Sequence, residues 1–146
     1  MHEEMSDGEI TLRLVKEIDA DPCKDWVAAR DYSIIVGASS VIAGGINIRL
    51  GYTLSLARYG GNIGYGVRPE FRGHHYAGKA CKLIREVAVA QGMDVLWITC
   101  NPENLASRKT CEWIGATLVE TVDLPPDNDQ YADGDRRKCR YRWIIY

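Results

Sequence analysis

Residues 60–91, GGNIGYGVRPEFRGHHYAGKACKLIREVAVAQ, constrain the chain more than any other stretch. They open with an apolar segment of strand length, turn through a basic, glycine-containing loop at 68–78, and continue as an amphipathic helix. Ala77, Ala80, Cys81, Ile84, Val87 and Ala88 recur at helical spacing on one face, and Lys79, Lys82, Arg85 and Glu86 lie opposite. Gly92 supplies the stop. Strand, polar loop and helix N-terminus in this order make an anion-binding device, because unpaired backbone N–H groups converge there with the positive end of the helix dipole. Gly73 permits the tight turn, and the N–H groups of 74–78 would face the anion. No GK[ST] follows and no GxGxxG is present, so the loop is neither a Walker A loop nor a dinucleotide fingerprint. The residues alone leave two readings open: a pyrophosphate cradle, or a turn that merely caps a helix.

The remaining elements supply a sheet. Alternating or continuous apolar runs predict strands at 9–16, 32–36, 41–50, 62–67, 95–100, 117–122 and 138–145, with a second helix at 106–114 closed by Gly115. Residues 1–8 read as a flexible tail, 37–40 as a turn, and Gly44-Gly45 as a bulge or a close backbone approach. The loop at 51–60 carries Tyr52, Arg58 and Tyr59, and 124–134 is a polar loop. This order predicts an α/β (α+β layered) domain, 1–146, with a mixed, mostly antiparallel sheet. The helix between 62–67 and 95–100 makes a right-handed crossover the expectation, with those two strands as a parallel pair.

Composition narrows the class. A chain of 146 residues, 46% hydrophobic and 26% charged, can bury one continuous core. A net charge of −2 argues against nucleic-acid binding, and strand alternation explains Arg140 and Arg142 beside the basic run Arg136-Arg137-Lys138 as an outward face. No apolar run is long enough to cross a membrane, and the acidic N-terminus is unlike a signal peptide. Five cysteines without a CxxC point to a reduced, cytoplasmic protein, and three histidines without ligand spacing predict no metal.

VRPEFRGHHYAGKA resembles the cofactor-binding segment of the GNAT superfamily of acyl-CoA-dependent N-acetyltransferases. Arg72, Tyr76 and Ala77 match its pattern, whereas His75 stands where the family usually has a glycine. NLASRKTCEWIG, at 104–115, resembles the family's later segment through Asn104, Ser107 and Gly115. The resemblance covers roughly three-quarters of the chain. It implies acetyl-CoA as co-substrate, no metal, a small-molecule or peptide amine as acceptor, a splayed central pair of parallel strands, and N-terminal helices shortened or absent. It also implies that Tyr65 and Val67 present free backbone groups to the acyl and pantetheine parts. Arg72, Gly73, His74, His75, Tyr76, Ala77 and Gly78 would hold the pyrophosphate, with Asn104 and Ser107 on the pantetheine arm. Asn104 is equally read as a helix N-cap. The protein is expected to be a monomer or homodimer.

Acid and base are not placed by spacing. Many family members carry a tyrosine acid seven residues after the asparagine, and here that position is Cys111. A thiol can protonate a leaving thiolate, and a helix cysteine can equally be packing. Tyr65, Glu70 and His74 are the other candidates, and Tyr52, Arg58 and Tyr59 are candidates for the acceptor pocket. Two functions remain open: direct acetyl transfer to a primary amine in a ternary complex, or a catalytically weak acyl-CoA-binding regulatory or interaction module.

Overall fold

Apolar alternation along the early strands fixes which face is buried. Ile10 and Leu12 on β2 (Ile10–Ile18), Tyr32 and Ile34 on β3 (Ala29–Val36), and Ile46 and Ile48 on β4 (Val41–Arg49) all turn inward. The computed structural model describes residues 3–37 and 40–146. Residues 38–39 of the expected turn and 1–2 of the expected tail lie outside it. Residues 4–6, expected in that tail, instead form β1 (Glu4–Ser6), antiparallel to β2. With β5 (Ile63–Val67), these strands make a sheet in chain order, β1-β2-β3-β4-β5. Between β2 and β3 the chain makes a 3-10 turn at Pro22–Lys24 and no α-helix.

Gly44 and Gly45 combine both expected features. The register slips between Ile34 and Ile35 of β3 opposite this pair, a bulge, and a Cβ on Gly44 would run into the Gly66 carbonyl of β5. Only glycine lets β4 and β5 approach here.

A second sheet has the order β6-β8-β7, from β6 (Val95–Cys100), β7 (Thr117–Asp123) and β8 (Arg137–Ile144). Helix α1 (Tyr76–Ala90) connects the sheets, α2 (Leu105–Ile114) follows β6, and a short α3 (Asp129–Ala132) sits in the polar segment before β8. The buried face of α1, Ala80, Cys81, Ile84, Val87 and Ala88, joins Leu12, Ile46, Leu96, Ile98, Tyr141 and Trp143 in one core. Each fully buried aliphatic side chain of this kind contributes roughly 1.5–3 kcal/mol.

The expected mixed sheet with a splayed parallel pair is not what forms. Both sheets are wholly antiparallel, and β5 and β6 are edge strands of different sheets. The reason lies at Asn62. Its backbone N–H donates to the Trp97 carbonyl (2.6 Å), but the Trp97 N–H donates to the Asn62 side-chain Oδ1 (2.9 Å) rather than to a backbone carbonyl. A side chain thus takes the place of the next ladder acceptor, and no ladder propagates. The Asn62 amide also donates to the carbonyls of Arg49 (3.0 Å) and Gly51 (2.9 Å), so this fully buried residue is satisfied on every side. Beyond it the two edges are unpaired with each other.

Candidate functional site

Three pieces of chain meet at the open edge of β5. The strand contributes Tyr65, Gly66 and Val67, the turn into α1 contributes Phe71, Arg72, Gly73, His75, Tyr76 and Ala77, and α2 contributes the opposite wall. Together they enclose a groove of about 930 Å³. β5 pairs with β4 on one side, so its other edge keeps backbone N–H and C=O groups available along this groove. Its floor is the start of α1, where no side chain caps the helix. The first-turn N–H groups of a helix have no intrahelical partner, and here they open beside Gly73 and His75.

The turn is shaped by two residues in the left-handed region, Gly73 (φ 94°) and His75 (φ 60°). Glycine adopts this freely, whereas histidine does so at a cost of about 1–2 kcal/mol. The imidazole of His75 stacks on the Trp113 indole of α2, with centroids 4.5 Å apart and planes 6° from parallel. That contact offsets the strain and ties the turn to the far wall of the groove. Arg72 folds back, its Nε donating to the Val67 carbonyl at 3.0 Å, which fixes the exit of β5. Gly78 lies behind Trp113, and a Cβ there would strike the indole ring.

Tyr65 crosses from β5 to α2. Its hydroxyl is 2.9 Å from Ser107 Oγ, donates to the Ser107 carbonyl at 3.3 Å, and sits 3.8 Å from Cys111 Sγ. Burial pushes the Tyr65 phenol well above its ordinary value, so it stays protonated. Cys111 is fully buried, and burial pushes its thiol up to about 12. The Asn104 side chain accepts from the Ser107 N–H at 3.2 Å as the N-cap of α2, and the residue also lines the groove.

A second cavity, of about 180 Å³, opens between β5 and β6. Ile63, Gly64, Ile98, Thr99, Cys100, Asn101 and Lys138 line it, and Tyr65, Asn104 and Ser107 are common to it and the groove.

The residues expected to bind cofactor divide accordingly. Tyr65, Val67, Arg72, Gly73, His75, Tyr76, Ala77, Asn104 and Ser107 come together on the groove. Gly78 is buried behind it, and His74 is exposed, its ring 5.2 Å from that of Tyr76. Glu70 sits exposed in the 3-10 turn Pro69–Phe71 and lines neither cavity. Tyr52, Arg58 and Tyr59 line neither as well. The Tyr52 hydroxyl donates to the Val95 carbonyl at 2.6 Å, the Arg58 guanidinium lies over the Tyr59 ring at 5.9 Å, and the Tyr59 carbonyl accepts from Thr99 and Gln130. Among the residues that sequence reasoning missed are Gly66 and Phe71, then Ala106, Lys109, Thr110, Glu112 and Trp113 on α2, and Asn101 and Lys138 at the second cavity. The signal on α2 was weak: Ala106, Lys109, Thr110 and Trp113 share one helix face by spacing, but Lys109 and Thr110 interrupt any apolar stripe. Lys138 had none, since its place on β8 predicts an outward face.

Against known proteins, the model of the Acetyltransferase (GNAT) domain matches residues 4–117, more than half of the chain. The chain belongs to the GNAT acetyltransferase superfamily. Among solved structures of similar fold is a putative ribosomal-protein-serine acetyltransferase from Vibrio cholerae (TM-score 0.70, 15% identity, 97% of each chain covered). A probable GNAT acetyltransferase from Chromobacterium violaceum has TM-score 0.68 and 12% identity, over 99% of this chain and 87% of that one. The microcin C7 self-immunity acetyltransferase MccE, solved with acetyl-CoA and AMP, has TM-score 0.62 and 21% identity. There the match covers 80% of this chain but 61% of MccE, less than two thirds of its length. No match was found among curated proteins. Among the described residues of this GNAT domain, no helix is long and apolar enough to cross a membrane, and no group of three or more His, Cys, Asp or Glu is placed to hold a metal ion.

Proposed function

We propose that the chain is an N-acetyltransferase that transfers an acetyl group from acetyl-CoA to a primary amine by direct attack in a ternary complex. The observation that carries this is the groove itself. It combines a free strand edge, an uncapped helix N-terminus behind a left-handed turn, and the aromatic face of Trp113 on the far wall. These suit, in order, the amides of a pantetheine arm, a pyrophosphate, and the flat or aliphatic parts of a long ligand. Acetyl-CoA supplies the activated acyl carbon, as a thioester. MccE, a structural relative solved with acetyl-CoA, supports the same donor.

The chain's own contribution is positioning, polarisation and proton management. The acceptor ammonium loses one proton to solvent, its nitrogen forms a bond to the acyl carbon, and the carbon–sulfur bond breaks. The sulfur gains its proton from Tyr65, and the second proton lost by the nitrogen restores the Tyr65 hydroxyl through solvent, so the products are the amide and a free thiol. Tyr65 is the donor we assign to the sulfur. Its hydroxyl is held by Ser107 and belongs to the wall common to both cavities. Cys111 is packing in this reading, because its buried thiol faces Tyr65 rather than the groove.

The absence of a tyrosine at position 111 favours the second reading, an acyl-CoA-binding module with little turnover. Thiol release from acetyl-CoA across a panel of amines separates the two. Amine-dependent release is expected. Thermal stabilisation by CoA with no release from any amine would favour the module, and no stabilisation by CoA would remove both.

A further inference from the structure

The second cavity differs in chemistry from the groove. Thr99, Asn101, Asn104, Ser107 and Lys138 give it polar walls. Lys138 is 7% exposed and, among the described residues lining the cavity, alone carries a charge at neutral pH. Its ammonium is 3.5 Å from Asp135 Oδ2, longer than the roughly 2.7–2.9 Å of a well-made charge-assisted hydrogen bond. Asp135 does not line the cavity, and its other oxygen accepts from the Asn101 amide nitrogen at 2.8 Å. A buried cation so loosely paired is costly unless something else satisfies it. Asn101 Oδ1 is likewise buried, with no hydrogen-bond partner. Two under-used groups, a cationic donor and a neutral acceptor, therefore sit at one small cavity.

We propose that this cavity is the acceptor subsite and that it selects primary amines bearing an oxyanion a few bonds away, with Lys138 recognising the oxyanion. This rests on the acetyltransferase reading above. The two cavities share a wall at Tyr65, Asn104 and Ser107, the arrangement a ternary complex needs for donor and acceptor to meet. Lys138 then does two things. It attracts a carboxylate or phosphate, and it disfavours a second cation in the same cavity, so the acceptor nitrogen sheds its proton more readily and becomes nucleophilic. The Asn101 carbonyl oxygen accepts an N–H from that nitrogen. Diamines and polyamines, with no anion to offer, are poor fits. A volume of about 180 Å³ suits the amine and oxyanion of a molecule the size of an amino acid.

The test is steady-state thiol release from acetyl-CoA with four acceptor sets: the twenty free amino acids, O-phosphoethanolamine, the amino-acid amides, and 1,4-diaminobutane. The expected result is that the best oxyanion-bearing amine exceeds every amide and the diamine by about tenfold or more in kcat/KM. A preference for amino acids or for phosphoethanolamine then identifies carboxylate or phosphate as the oxyanion. Lys138→Gln combined with Asp135→Asn, which strands no lone charge, should raise KM for that acceptor by about tenfold while KM for acetyl-CoA stays within about twofold. Lys138→Arg should retain most of the preference. Amides or diaminobutane used as well as the oxyanion-bearing amines, or an acceptor KM unmoved in the double variant, would overturn the proposal and leave the acetyltransferase reading standing. Release that no amine increases would overturn both.

Discussion

The imidazole of His75 lies flat against the indole of Trp113, joining the turn before α1 to the far wall of the groove. Substitution separates the two effects at this position. His75→Ala keeps a Cβ at φ 60° but loses the stack, and should destabilise the fold by about 1–2 kcal/mol in urea denaturation. His75→Gly removes strain and stack together and should lie close to the parent protein. Equal stability of the alanine variant and the parent would show that the stack contributes nothing.

Gly78 tests the same wall from behind. Alanine there would push Trp113 out of its seat, unstack His75 and narrow the groove. Acetyl-CoA affinity measured by calorimetry should fall by about tenfold, within the 1–3 kcal/mol typical of overpacking. The far-ultraviolet spectrum should be retained. Unchanged affinity would place the donor elsewhere.

Tyr65→Phe preserves the ring and removes the hydroxyl that meets Ser107. The turnover number should drop by about 10²-fold, while KM for acetyl-CoA changes by less than about twofold. Cys111→Ala in the same assay should change turnover little, at a cost of stability only. A reversal, with the cysteine variant losing turnover and the phenylalanine variant keeping it, would exchange their roles.

Burial also makes the fold sensitive to alkali. Burial pushes the Cys111 thiol up to about 12, and the Cys81 and Cys100 thiols are pushed up as well. Unfolded thiols ionise near pH ~8.5, so above that the unfolded chain has released protons that the native state still holds. Stability is therefore full below this value and declines as pH rises towards 12, at about 1.4 kcal/mol per pH unit for each thiol involved. Urea midpoints between pH 8 and 10.5 should fall, and Cys111→Ala should flatten the slope. Identical slopes would place the loss on other groups.

Local pattern carried most of the elements but not how they are joined. The helix at 76–90 follows from periodicity, and the strand at 95–100 from a near-continuous apolar run of strand length. That β5 and β6 belong to different sheets does not, because the decision is made by the Asn62 side chain occupying a ladder position across the chain. β1 was missed because three residues, Glu4–Ser6, are too few to show a period. The groove was readable from Arg72 to Ala77, where special backbone needs leave a mark in residue type. The second cavity was not, because Lys138 and Asn101 gain meaning only when β8 and the turn after β6 lie beside β5.

Asn62 has a consequence for how a protein of this kind diverges. The Asn62 side chain holds the seam between the two sheets from both sides, donating to the Arg49 carbonyl of β4 and accepting from the Trp97 N–H of β6. The groove is built from β5, α1 and α2, while the second cavity draws Thr99, Asn101 and Lys138 from the neighbourhood of β6 and β8. On the proposed acetyltransferase reading, acceptor preference is thereby free to drift across generations while the donor groove is inherited intact.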